Sequence, residues 1–476
     1  MDQSRVYTLR NGGLMLKMTR LSIILTAVLS ISVQAKSVDF DSAWKNVLNN
    51  HNGIAAERMN VQRQESLASA TSDLNLPSIS LTANYTYLDD DVTVSSQQLL
   101  DSTDINPAFA GAASGLINKL GGPITSTLTE RDIFTSSIRA IWPIFTGGRI
   151  SAAESAAEGK TTEARSKLLM KQQASYEDLA KYYFSVVLAN EVVNTYTEVE
   201  QGLAKHRSNA VKLQQQGQIA KVERLQADAS YDKAKVDLRK AEQDRDIANA
   251  ALSQMLQTRD AVTPETMLFI NATLPELGSF VDSTLDTYPG LALLDAKEVQ
   301  AQSLVKAEKG RYYPEVYLYG NYNLYEGDSL SAEIAPDWMV GIGMNVPLLD
   351  NKGRSEKVVA AHSAIQQVQY LKQQAKQDLS LLVEKTYRQA LQAIDEYNGL
   401  ASSVTLATEN VFLREKAFKQ GLSTSLDVVD AELYLASIKT QRSLASFNYV
   451  ISLVKLLALS NQTDTFNQYQ LQARQG

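Results

Sequence analysis

The chain has 476 residues, with 46 basic against 53 acidic side chains and a formal net charge of −7 at neutral pH. Mild acidity without a dense basic patch argues against nucleic acid as a partner. Cysteine is absent, which excludes disulfides, thiolate metal sites and a lipid-modified N-terminal cysteine, so any membrane attachment has to come from folded structure.

Lys17 and Arg20 precede an apolar run over residues 21–33, and Val33-Gln34-Ala35 resembles a small-residue cleavage site. Residues 1–35 therefore read as a secretory signal peptide, with Met15 or Met18 as alternative initiators and a mature chain from Lys36. No other run approaches the roughly eighteen apolar residues of a membrane helix.

Two similar halves follow. Gln216-Gly217 with Val222, Glu223, Leu225 and Ala227 recurs as Gln420-Gly421 with Leu426, Asp427, Val429 and Ala431, a shift of 204 (420 − 216). Pro143 maps onto Pro347 by the same shift, whereas Asn52-Gly53-Ile54 and Pro77 map onto Pro289-Gly290-Leu291 and Pro314 with a shift of 237 (314 − 77). The difference of 33 (237 − 204) places an insertion between Pro77 and Pro143 of the first copy. The first repeat spans 36–263, with a helix over 38–73, strands over 77–88 and 132–142, and a long helix pair over 149–258. The second spans 264–460, with a helix over 288–311, strands over 314–325 and 337–347, and a helix pair over 354–460. Residues 461–476 read as a flexible tail.

The strands show period two: Ile79, Leu81, Ala83, Tyr85 and Tyr87 alternate with Ser78, Ser80, Thr82, Asn84 and Thr86. Val316, Leu318, Gly320, Tyr322 and Leu324 repeat the pattern. After each hairpin proline disappears, and runs of Ala, Gln, Lys, Glu and Leu predict helices of 66 residues (214 − 149 + 1, and 419 − 354 + 1), each about 100 Å long. Leu379, Leu382, Ala390, Ala393 and Tyr397 suit an antiparallel coiled-coil seam. Alternation alone favours a soluble sandwich. The export signal, the aromatics Tyr85, Tyr87, Trp142, Tyr322 and Trp338 near strand ends, and the lack of other strands turn the balance towards a membrane barrel. Four strands cannot close such a barrel, so membrane-spanning strands require an oligomer.

Tandem halves, each with a proline-started hairpin, a P-[IL]-[FL]-x-x-G-x-R type exit into a very long helix and a glycine turn leading to L-D-V-V-D-A, resemble the TolC family of outer-membrane efflux channels over about 38–459. The resemblance implies a mainly α chain with a β-barrel contribution. Three copies would form a homotrimer whose strands make one barrel in outer-membrane lipid, continued into the periplasm by an α-helical tube with an equatorial layer. It implies the exit duct of a tripartite efflux or type I secretion system, in the outer membrane of a Gram-negative bacterium. Its partners would be a periplasmic adaptor and an inner-membrane pump.

In the family pattern the turn reads V-D-V-L-D-A, and its two aspartates line the periplasmic entrance, here Asp427 and Asp430. Spaced by three they share a helical face, and three chains would set six carboxylates in a ring that attracts cations. The competing reading is that Asp427 complements the helix start after a cap at Thr424 or Ser425. Where the family has a tyrosine and an arginine that latch the closed state, this chain has Phe418 and Ser423, while Glu223 keeps an acid whose partner is open. Lys221 is one substitute. The turns at Gly217 and Gly421 are the expected adaptor-docking points.

Enzymatic signals are weak, and no cofactor or metal is expected. His51, His206 and His362 lie far apart and read as exposed helix residues. Asp89-Asp90-Asp91 reads as a solvated loop rather than a calcium site, and the glycines within 111–122 lack a phosphate-loop lysine. A stand-alone diffusion porin and a soluble periplasmic coiled-coil scaffold are the alternatives to a duct.

Overall fold

A computed structural model describes residues 36–102, 106–259, 262–327, 336–349 and 351–475. The expected signal peptide and most of the second hairpin's tip lie outside them. The first half contains β1 (Lys36–Val38), α1 (Phe40–Asn50), α2 (Asn52–Ser72), β2 (Ser78–Tyr87), β3 (Val92–Ser95), α3 (Ser96–Ser102), α4 (Pro107–Lys119), β4 (Thr125–Thr129), β5 (Asp132–Phe145), α5 (Arg149–Gln215) and α6 (Lys221–Met255). The second contains β6 (Val262–Pro264), α7 (Leu277–Thr287), α8 (Pro289–Gly310), β7 (Glu315–Tyr325), β8 (Trp338–Asn345), α9 (Arg354–Gly399), α10 (Ala401–Lys419) and α11 (Ser425–Leu459), followed by α12 (Phe466–Gln475).

The duplication is written in the backbone as well as in the sequence. The helix predicted over 38–73 breaks at His51, which is extended at φ −68°, ψ 120°. The second copy breaks at Tyr288, at φ −64°, ψ 121°, because Pro289 cannot donate to the preceding turn. These positions are 237 apart (288 − 51), the shift of the early landmarks. Gln257 and Asn461, 204 apart (461 − 257), are the two described non-glycine residues with positive φ, each just past the second long helix of its copy. The 66-residue helix of the second half is interrupted at Leu400, after Gly399, where that of the first half continues unbroken. The insertion folds as a small β3–β4 hairpin carrying α3 and α4.

At one end, four antiparallel strands form an open sheet in the order β2-β5-β7-β8. Register lines Ile79 with Ala140, Ala140 with Gly320 and Gly320 with Val340, so one face is apolar across all four strands. That face has nothing on it: Ile79, Leu81, Val340, Ile342 and Met344 are each about 70% exposed. Tyr85, Tyr322 and Trp338 stand towards its loop end, and Trp142 stands at its helical end with its indole N–H donating to Asn75 O at 2.8 Å. The opposite face carries Ser80, Thr82, Asn321 and Asn323, with the rings of Tyr317 and Tyr319 lying over Gly343 and Gly341. The strand-to-helix exits are tight. Gly147, at φ +64°, is pressed against Gly310 O, where any Cβ would collide, and Arg149 of the next turn pairs with Glu315.

At about 1.5 Å per residue, the 67 residues of α5 run about 100 Å. The main core clasps the middle of this length, where α1, α7, α12 and the parallel β1–β6 pair gather. Phe40 packs on Tyr176, Tyr183, Phe184 and Phe466 with ring centroids 4.9 to 5.4 Å apart. The Tyr183 hydroxyl donates to Val38 O and accepts from the N–H groups of Glu265 and Thr266, which ties both short strands to α5. Residues expected to form a flexible tail are therefore helical, because Phe466, only 2% exposed, anchors them in this core. By length and composition α11 could also cross a membrane, contrary to the expectation from the sequence, but most of its apolar stretch is buried in the same core. Of the seam expected on α9, Leu379, Ala390 and Ala393 are buried and Leu382 packs half-buried against the core, whereas Tyr397 is half-buried outside it, under the Arg442 guanidinium.

Between the waist and the sheet, Glu163 of α5 joins α8. Burial pushes its carboxyl pKa up, but hydrogen bonds from Gln300, Lys167 and Lys297 outweigh that and hold it at about 2. A depressed carboxyl stabilises the fold above its ordinary value, and that stability is lost as pH falls from about 4.5 towards 2. Glu163→Gln is expected to cost about 1.5–3 kcal/mol at neutral pH. Its thermal midpoint, followed from pH 6 to 2, should fall less steeply than that of the parent.

Candidate functional site

At the end opposite the sheet, the two long hairpins turn side by side. Gly217 and Gly421 sit at φ +72° and +73°, the left-handed conformation that closes a helix. Gln218 N–H reaches back to Leu213 O, and Leu422 N–H to Ala417 O, both at 2.9 Å. Leu422, Leu426, Val222 and Leu225 are exposed apolar residues on these tips.

The second turn restarts its helix with a complete capping box. Asp427 N–H donates to Thr424 Oγ1 at 3.2 Å, while the Thr424 N–H and hydroxyl both donate to Asp427 Oδ2 at 2.8 Å. Ser423 adds its hydroxyl at 3.0 Å, and Arg414 lies 3.5 Å from the other carboxylate oxygen. The Thr424 N–H, then the Thr424 and Ser423 hydroxyls, hold the Asp427 carboxyl below its ordinary range, with Arg414 a smaller influence. Asp427 thus has a full set of local partners. Asp430, one turn on, is exposed and has no hydrogen bond or ion pair with any described residue. The two aspartates, equivalent in the sequence motif, differ in how free their charge is.

Glu223, whose partner the sequence left open, bridges the two turns: its Oε2 accepts from the Ser425 N–H at 2.6 Å. It supplies the start of α11 with a carboxylate from the other repeat, where the helix dipole favours one. No ion pair of Lys221 is found among the described residues. Phe418 is 1% exposed and packs with Ala210, Ala227 and Val428. Its ring lies 4.5 Å from that of His206, whose Nε2 is 2.6 Å from Ser425 Oγ. The histidine read as exposed is in fact 2% exposed, since its turn of α5 faces α10 and α11. Burial lowers its pKa to about 4, against the opposing fields of Glu415 and Glu223. A single histidine carries no helical period of its own, so no local pattern signals this placement.

The contact between the two hairpin tips therefore consists of an apolar plug, a charge-assisted cap and the Lys205–Glu415 ion pair at 2.7 Å. Glu223→Ala should cost about 1–2 kcal/mol through the unsatisfied Ser425 N–H. Limited proteolysis within 216–224 and 420–426 should accelerate accordingly, with cleavage elsewhere unchanged. No group of three or more possible metal ligands is found among the described residues.

A family model for outer membrane efflux proteins matches residues 43–257 and 281–462. Protein CyaE of Bordetella pertussis is 23% identical over 259 residues, 53% of this chain and 54% of that protein, so the chain spans about half the length of this relative. The crystal structure of CusC superimposes with a TM-score of 0.71 at 14% identity, covering 89% of this chain and 93% of that one. VceC of Vibrio cholerae gives 0.69 at 14% identity, covering 88% and 96%. The open state of the MtrE channel of Neisseria gonorrhoeae gives 0.68 at 16% identity, covering 89% of each chain. At these identities the likeness establishes the fold.

Proposed function

Since the chain belongs to the outer membrane efflux protein family, we propose that it is a passive, gated exit duct built from three copies, leading from the periplasm through the outer membrane. The observation that carries this reading is the four-stranded sheet with a bare apolar face and two unpaired edges, β2 and β8. In hydrocarbon each unpaired backbone group costs several kcal/mol, so the edges have to be paired. Joining β8 of one copy to β2 of the next around a threefold axis closes twelve strands, with the apolar face towards lipid and the Ser, Thr and Asn face towards water. The aromatics Tyr85, Tyr322, Trp338 and Trp142 then flank the lipid band at its two borders.

Helices of about 100 Å would carry the passage to the two turns. There the Asp430 carboxylates of three copies would form a cation-favouring ring, with Asp427 behind it as the cap that fixes the helix start. Glu223 and Phe418 would hold the closed state in place of the family's tyrosine and arginine. The exposed leucines and Val222 at the tips offer an apolar surface to a periplasmic adaptor, through which an inner-membrane pump of an efflux or type I secretion system would supply the energy.

Membrane fractionation followed by planar-bilayer recording tests this reading. The expected result is a heat-modifiable trimer in the outer membrane with a small, cation-favouring conductance. A soluble periplasmic monomer would contradict it, and a wide, ungated conductance would favour the diffusion porin.

A further inference from the structure

One turn behind the gate, the seam between α5 and α11 contains a carboxyl group that neither capping nor pore lining accounts for. Glu432 is 8% exposed and occupies the space left by Gly202, where a side chain would collide with its carboxylate. Its seam neighbours Val199, Leu203, Val429 and Ala436 are apolar, and α6 contributes Ala234. The charged groups around it are already matched: Lys205 of α5 pairs with Glu415 of α10, and Lys439 of α11 pairs with Glu198 of α5. Glu432 makes no hydrogen bond or ion pair with any described residue. A buried acid in a notch shaped for it, between two completed ion pairs, is tolerated neutral and penalised when ionised.

We propose that Glu432 is a proton-operated positioning residue of the gate: neutral, it lets α5 and α11 close on the Gly202 notch, and ionised, it drives them apart. The inference rests on the duct reading above and names a regulator of the same gate. Burial and the field of Glu415 raise its carboxyl pKa to about 7, against the opposing fields of Lys205 and Lys439. The packed form holds its proton more tightly than a solvated glutamate does. Closure is therefore unopposed below about 4.5, weakens as pH rises to about 7, and changes no further above that. His206, one turn along α5, titrates in the opposite sense, because it is packed neutral and its protonation at low pH loosens the same contact. The pH response of the whole gate is the difference between these two groups, so Glu432 is read by comparing variants.

The test is bilayer conductance from pH 4.5 to 8 of Asp430→Asn, which takes the charged ring out of the comparison, and of Asp430→Asn with Glu432→Gln. Trimers are first verified by heat-modifiable migration. The ratio of open to closed occupancy in the first variant, divided by that in the second, is expected to rise by up to about a hundredfold per chain across pH 4.5–7 and then level off. A ratio that stays constant with pH overturns the role of Glu432 while leaving the duct intact. Absence of conductance from both variants and from the parent overturns the duct itself.

Discussion

Asp430→Asn is expected to abolish most of the cation preference of the conducting trimer and to raise its conductance, whereas Asp427→Asn leaves most of that preference in place. The sequence motif presents the two acids as a pair, but the structure separates them. Asp427 spends its carboxylate on the Thr424 and Ser423 groups of the capping box, while Asp430 is exposed and unpaired among the described residues. In water, a unit charge about 5 Å away contributes about 0.8 kcal/mol, so three Asp430 carboxylates favour a cation by about 2.5 kcal/mol before screening. Salt reduces this to roughly a tenfold permeability ratio. Asp427→Asn keeps an oxygen for the box and should cost about 0.5 kcal/mol of helix stability, seen as faster proteolysis at the turn. Reversal potentials in a salt gradient measure the first effect. Equal loss of selectivity in both variants would mean that the capping box does not persist in the trimer.

Phe418→Ala is expected to have the largest effect on the closed state, lowering its stability by about 3–5 kcal/mol per chain. The ring is 1% exposed, seals the space among Ala210, Ala227 and Val428, and covers His206. Its neighbours are mostly alanines on stiff helices, which cannot collapse into the void. Removing it also opens His206 to water, so the histidine's pKa should return from about 4 towards its ordinary value. Single-channel recordings should show long open dwells where the parent is mostly closed. Phe418→Tyr, which keeps the volume, should stay near the parent. If Phe418→Ala matched the parent in open time and thermal midpoint, the plug would be structural filler.

The architecture was largely legible because it is built from strong local patterns. Period-two alternation marked β2, β5, β7 and β8, proline-free runs marked the long helices, and the shifts of 204 and 237 marked the repeat. The breaks at His51 and Leu400 were not legible, since the weak helix formers beside them, Asn50, Asn52 and Gly53 in one case and Asn398 and Gly399 in the other, are of the same kind as Gly159 and Gly202, which lie inside the unbroken α5. The folding of α12 depends on Phe466 meeting Phe40 across the whole chain, a contact that no local window contains. At the tips, the family resemblance pointed to Asp427, Asp430, Glu223 and Phe418 as a group but did not distinguish their tasks. Which acid caps and which remains free depends on the Thr424 geometry, and the partner of Glu223 is a backbone N–H about two hundred residues away. Gly202 and Glu432 are individually unremarkable in sequence and acquire meaning only by facing each other.

In the duct proposed above, the two hairpin tips are a gate that closes by their mutual contact. Because the chain has no cysteine, Lys205→Cys with Glu415→Cys places one thiol on each hairpin, where their charged ends now touch at 2.7 Å. In the Phe418→Ala background, bridging these thiols with a short reducible crosslinker and recording the same bilayer before and after reduction tests whether that contact closes the passage. The expected result is a low conductance while bridged that rises severalfold on reduction. Equal conductance in both states would show that passage does not depend on separation of the tips.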